Sequence, residues 1–301
     1  MPIFSKNETE ILFIHIPKCA GTSVEKKLKS VYQHFNLHSC TMSELPCTPQ
    51  HFHASLLPIA VKKLKTIESF AIVRNPLLRI ISEYFWRNRH RAKRGDERLE
   101  PNKHIINLIS AYKIDKYVID NHIRHQIAFI LPKTKVFYLE NGIQDALDFA
   151  SNAIGYTKEK NADEPNSNNS KAEEIYLTRE TINKVEEFYQ VDYAMFNYKK
   201  LAFSGNKIAY SEIKKIVKSD FENTEYVYNA DILKAYKSSE RKWNNKRALL
   251  LRDEAIKIET VSLESALLLI KEANKLKPYS KIIKSKLSLY EKKLVETYKN
   301  K

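Results

Sequence analysis

Residues 13–23 read FIHIPKCAGTS, an apolar run that breaks into proline, lysine, glycine and two hydroxyls. With the residues before it the run is ILFIHI (11–16), short and almost wholly apolar, which reads as a buried strand. From Gly21 onward, GTSVEKKLKSVY places Val24, Leu28 and Val31 three to four residues apart, the spacing of one helix face. The order is strand, turn, helix, with Thr22 or Ser23 as the expected cap. Only five glycines occur in 301 residues, and one of them stands here. Amide groups freed at a helix start attract phosphate-like anions, and the helix dipole adds to the attraction. The loop Pro17, Lys18, Cys19, Ala20, Gly21, Thr22, Ser23 is therefore a candidate anion cradle. Gly21 is expected to let the backbone approach the ligand, Lys18 to reach its oxygens, and Thr22 and Ser23 to donate hydroxyl hydrogens. The plain alternative is a tight turn with an exposed lysine. GxxxxGK[ST] is absent and no strand-end aspartate stands out for magnesium, which disfavours a nucleoside triphosphatase.

A second unit follows. SFAIV (69–73) reads as a strand, Arg74 ends it, and NPLLRIISEYFW opens a helix with Asn75 as cap and Pro76 in the first turn. Two such units imply parallel pairing and an α/β layer fold. KTKVFYLEN (133–141) is a third strand candidate, preceded by a helix over roughly 103–131. Arg74 and Ser82 are placed to meet a second anion, while Arg79 and Arg87 read as surface cations. Between the two units lies TPQHFHASLLP, in which alternation puts His51 and His53 on one face of an extended segment. A histidine pair between two anion loops suggests a general base. Metal binding by the pair lacks an obvious third ligand, and no metal is expected.

The net charge of +15 suggests an anionic partner, with a merely lysine-rich surface as the alternative. Cys19, Cys40 and Cys47 show no zinc spacing, and an odd, sparse set suits a reducing compartment. The polar start MPIFSKNETE and the lack of a run long enough to span a bilayer make a cytoplasmic, non-membrane-spanning protein the expectation. KEKNADEPNSNNSKAEE (158–174) reads as a surface loop or lid. After about residue 204 the chain turns to lysine-rich helices. There Ala266, Ile270, Ala273 and Pro278 have the spacing of the second helix of a tetratricopeptide repeat, although a plain helical hairpin fits better.

FIHIPKCAGTS resembles the 5′-phosphosulfate loop, and IVRNPLLRIISEY the 3′-phosphate motif, of sulfotransferases that use 3′-phosphoadenosine 5′-phosphosulfate (PAPS). The order of motifs is similar to the carbohydrate family that includes the heparan sulfate 2-O-sulfotransferases. The resemblance implies a P-loop-like three-layer fold with a central parallel sheet over 1–203, leaving 204–301 as a helical extension. It implies a nucleotide donor, a carbohydrate or glycoconjugate acceptor, and transfer of a sulfuryl group. It implies that one histidine of HFH deprotonates the acceptor hydroxyl, His53 being preferred and His51 its helper; Glu83 or Glu140 is the carboxylate substitute. DNHIRHQIAFI resembles the family's DxHxxPQ segment, with His125 in place of proline, and nominates His122, Arg124 and Gln126 for the acceptor cleft. NNSK, with Asn168, Ser170 and Lys171, resembles the loop that closes over the nucleotide. FYQVDYAMFNY resembles the closing helix, with Tyr193, Phe196 and Tyr198 as core aromatics. The rival functions are a magnesium-dependent kinase or other nucleotide-binding transferase, a basic glycan- or nucleic-acid-binding module, and a scaffold that recruits a protein through the helical tail. Nucleic acid is not expected, because the basic residues are scattered.

Overall fold

The computed structural model describes residues 1–6, 8–29, 33–36, 45–61, 64, 66–155, 173–222 and 229–299. The chain divides into two compact units, residues 1–43 with 47–233, and residues 44–46 with 234–301.

The first unit is built on a sheet of β1 (Pro2–Lys6), β2 (Thr9–Ile14), β3 (Gln33–Asn36), β4 (Glu68–Val73) and β5 (Lys135–Tyr138). Their order is β3-β1-β2-β4-β5. β2, β4 and β5 run parallel, with Phe13 opposite Phe70 and Val73 opposite Tyr138. The last four residues of β2 and the last five of β4 are buried, as strands covered on both faces must be. The expected parallel sheet is thus a three-strand core. β1 pairs antiparallel with both β2 and β3, placing Ile3 between Leu12 and Phe35 and making the sheet mixed. Phe70 joins Phe13 and Phe149 in the core, with ring centroids 4.9 and 6.1 Å away.

Helices α1 (Gly21–Lys29) and α3 (Pro76–Lys93) leave the C-terminal ends of β2 and β4, with the single turn α2 (Leu57–Ala60) between them. That end of a parallel sheet is where open α/β folds bind ligands. Asn75 caps α3 by accepting from the amides of Leu77 and Leu78, with Pro76 in the first turn, as the sequence predicts. α4 is Pro101–Ile114, so the long helix expected over 103–131 stops early. α5 (Gln144–Ala153), α6 (Arg179–Phe188), α7 (Gln190–Met195) and α8 (Tyr210–Glu222) complete the unit, with the small ribbon of β6 (Tyr176–Thr178) and β7 (Lys207–Ala209). The unit runs some thirty residues past the boundary expected at 203. β7 pairs with β6, and Tyr210 and Phe221 pack on Phe85 and Tyr138.

The second unit holds most of α9 (Ala230–Ile258), α10 (Leu263–Leu276) and α11 (Lys281–Lys299). Its core includes Ala248, Ala255, Ala266, Ile270, Ala273, Ile283 and Tyr290. Among the described residues no helix is long and apolar enough to cross a membrane.

Candidate active site

The loop after β2 bends through left-handed backbone at Lys18 (φ 68°) and Ala20 (φ 61°). The carbonyl of Ala20 accepts from the amides of Ser23 and Val24, so Ala20 takes the cap position. Thr22 and Ser23, expected as caps, stand inside the first turn, exposed and half-buried respectively. Gly21 has a steric reason of its own. A Cβ there would lie 2.3 Å from Nε2 of His15, whose ring fills the space and whose Nδ1 meets Glu25 Oε1 of α1 at 2.5 Å. Glycine thus makes room for an internal imidazole. The Cys19 thiol points inward to Gln126 Oε1 at 3.3 Å, and burial pushes its pKa up to about 12. Cys19 therefore offers a ligand only its backbone. Lys18 is half-buried, with Nζ 5.0 Å from the centre of the Trp86 ring. Burial lowers its pKa to about 8, opposed by the nearby Glu83 carboxylate.

The loop after β4 lies beside the first. Nη1 of Arg74 donates to the carbonyl of Lys18 at 3.4 Å, joining the two elements expected to bind anions. Ser82 is half-buried about two turns along α3. Arg79, read as a surface cation, is 1% exposed. Its guanidinium donates to three carbonyls, those of Pro17 (3.0 Å), Arg124 (2.9 Å) and His122 (2.7 Å). A planar five-donor fork supplies that geometry and an ammonium cannot. Arg87, also assigned to the surface, is half-buried and grips Glu83 Oε1 from Nη2 at 2.7 Å. Glu83 is fully buried, and its other oxygen holds Nδ1 of His122 at 2.8 Å. Glu140 accepts from the Asn75 amide (2.7 Å) and the Tyr198 hydroxyl (2.9 Å). Both glutamates are committed to protein partners, which disfavours either as the base.

The HFH stretch is not extended as expected. Residues 49–51 form a tight 3₁₀ turn, Phe52 is extended, and a second turn follows in which the Leu56 amide donates to the carbonyl of His53. The two histidines accordingly meet different neighbours. His51 places Nδ1 2.7 Å from Asp120 Oδ2, and its ring lies 4.8 Å from that of His122 and 5.5 Å from that of His15. His53 is 2% exposed and packs 5.8 Å from the Tyr117 ring. Burial holds the His51 pKa down to about 4 against the pull of Asp120, and the neighbouring histidines lower it further.

Asp120, which the sequence did not single out, reaches this cluster because the chain after α4 makes a left-handed turn. Ile119, Asp120 and Asn121 have φ values of 47°, 60° and 63°. Asp and Asn tolerate that conformation, while a β-branched residue does so only under tertiary restraint. The restraint is visible: Asp120 accepts from the amide and hydroxyl of Thr48 at 2.6 and 2.7 Å, and Asn121 donates to the carbonyl of His51 at 2.9 Å.

Of the three residues nominated for the acceptor cleft, His122 stands in the cluster, half-buried, 5.3 Å from the Trp86 ring. The other two belong to the scaffold. Gln126 is fully buried, accepting from the Arg74 amide (2.9 Å) and donating to its carbonyl (2.8 Å). Arg124 is buried, donating to Asn121 Oδ1 at 2.8 Å and covering Tyr117. His125 fills an aromatic pocket of Tyr112, Phe188 and Tyr189. Tyr193, Phe196 and Tyr198 are buried as expected. Asn168, Ser170 and Lys171 lie outside the described residues.

Residues 1–199 match the family model described as "Sulfotransferase family". No curated protein and no solved structure matches the chain.

Proposed function

This chain belongs to the sulfotransferase family, and from that premise we propose that it moves a sulfuryl group from PAPS to a hydroxyl on a carbohydrate. The observation that carries the reading is the contact between Arg74 and the Lys18 carbonyl, which sets two cationic loop elements side by side at the ends of neighbouring parallel strands. A nucleotide with phosphates at both its 5′ and 3′ positions needs such a pair. The amides starting α1, with Lys18, suit the 5′-phosphosulfate. Arg74 and Ser82 suit the 3′-phosphate.

In transfer, the acceptor oxygen attacks sulfur in line as the bond from sulfur to the bridging oxygen breaks. The departing 3′,5′-diphosphate keeps the bonding electrons, and Lys18 and the loop amides neutralise the charge that grows on it. The acceptor proton goes to a histidine. We assign this step to His51 in preference to His53. Asp120 Oδ2 can accept a hydrogen bond from Nδ1–H of His51 and so fix the tautomer whose Nε2 carries the basic lone pair. His51 also touches His122, which touches Trp86, which faces Lys18, so it is linked to the donor loop. In this reading His122, held by Glu83, meets the acceptor.

Calorimetry with 3′-phosphoadenosine 5′-phosphate and adenosine 5′-phosphate tests the donor. The first should bind roughly 10- to 100-fold tighter, the worth of one or two charge-assisted hydrogen bonds. Arg74→Ala should erase most of the difference. Equal affinities in the wild type would refute the assignment.

A further inference from the structure

We propose that His51, His122 and Asp120 form a binding site for a borderline divalent cation of the zinc class, and that the bound cation silences transfer. One nitrogen from each histidine and one carboxylate oxygen of Asp120 lie within 4.8 Å of one another. Two imidazoles and a carboxylate are a donor set that zinc and its neighbours accept, with water completing the shell. Tetrahedral bonds of about 2.1 Å want ligand atoms about 3.4 Å apart, so the Nδ1 of His51 and Oδ2 of Asp120, now 2.7 Å apart, open slightly as His122 draws in.

The supporting groups are those a metal site needs. Glu83 holds Nδ1 of His122 at 2.8 Å and so turns its Nε2 outward, as a carboxylate behind a metal-ligating histidine does. Thr48 fixes Asp120 through two hydrogen bonds, and Asn121 fixes the His51 backbone. A third of the Asp120 side chain remains exposed, which leaves an entry path. The effect on transfer rests on our reading of His51 as the base: a cation shared with Asp120 takes the Nδ1 position, which leaves the ring hydrogen on Nε2 and no lone pair there to accept the proton. The binding itself does not depend on that reading.

The full-length protein, stripped with a chelator, should be titrated with Co²⁺ and followed by its visible absorption, and with Zn²⁺ by calorimetry. One-to-one saturable binding is expected, weakened at least 10-fold in His122→Ala and in Asp120→Ala. Glu83→Gln should weaken it by about 10- to 100-fold. X-ray absorption of the zinc-loaded wild type should show two imidazoles, a result independent of how the variants fold. Absence of saturable binding, unchanged binding in both ligand variants, or fewer than two imidazoles would overturn the site and leave the base assignment standing. Zinc should also inhibit transfer, with recovery on adding chelator. Zinc bound with transfer undiminished would overturn the inhibition and remove His51 as base.

Discussion

Nε of Arg79 donates to the carbonyl oxygen of Pro17 at 3.0 Å, so a buried cation on α3 holds the loop that carries Lys18. The other two arms of the same guanidinium hold the carbonyls of His122 and Arg124. One side chain therefore sets the distance between the Lys18 loop and the histidine cluster.

Arg79→Lys should be costly. An ammonium cannot meet three carbonyls in one plane, and buried acceptors are left without partners. We expect a loss of about 3 to 5 kcal/mol, the range for breaking a buried charged network. Urea unfolding measures it, and a loss below about 1 kcal/mol would show that the clamp contributes little.

Gly21→Ala drives a methyl into the His15 ring, 2.3 Å from Nε2. Overpacking of this kind costs about 1 to 3 kcal/mol. Because the obstruction is one side chain, His15→Ala should rescue much of the loss. A double-mutant cycle with coupling below about 0.5 kcal/mol would mean that the loop yields instead.

His51→Ala should lower turnover roughly 10²- to 10⁴-fold with donor affinity kept. His53→Ala should alter turnover far less. Single-turnover kinetics with labelled donor separates the two, and the reverse pattern would return the base to His53.

Lys18 supplies a pH test. Its pKa in the free protein is about 8, below the ordinary 10.5. Donor anions bind the protonated form, so binding takes up a proton once the pH exceeds about 8. Affinity should therefore hold below that value and fall by up to about tenfold per pH unit above it. Lys18→Arg, which stays charged, should flatten the decline. A flat wild-type profile would place Lys18 away from the anion.

How far the sequence could be read depended on whether a residue's role is local. The Asn75–Pro76 start of α3 was legible because capping uses neighbours two or three residues away. The parallel strands were legible because burial on both faces leaves an unbroken apolar run. β1 was missed: PIFSK is short and mixed, and only its partners β2 and β3 make it a strand. Arg79 was misread because arginine on an amphipathic helix normally faces water, and its carbonyl partners lie 43 to 62 residues away. Asp120 was read only as the first residue of the DxHxxPQ-like segment, because the turn that brings it to His51 is held by Thr48, 72 residues off. The ribbon of β6 with β7, which crosses the boundary expected between 203 and 204, is marked by no change of composition.

Trp86 gives the site an optical consequence. Its half-buried indole stands between the Lys18 ammonium, 5.0 Å away, and the His122 ring, 5.3 Å away. The chain has only one other tryptophan, Trp243 in the C-terminal unit, which is 45% exposed. Indole emission shifts in colour and intensity with nearby charge, so a donor that draws Lys18 away, or a cation beside His122, changes the light from Trp86 and leaves a steady background from Trp243. The protein carries an intrinsic fluorescent gauge of its Lys18 loop, readable in stopped flow without any label.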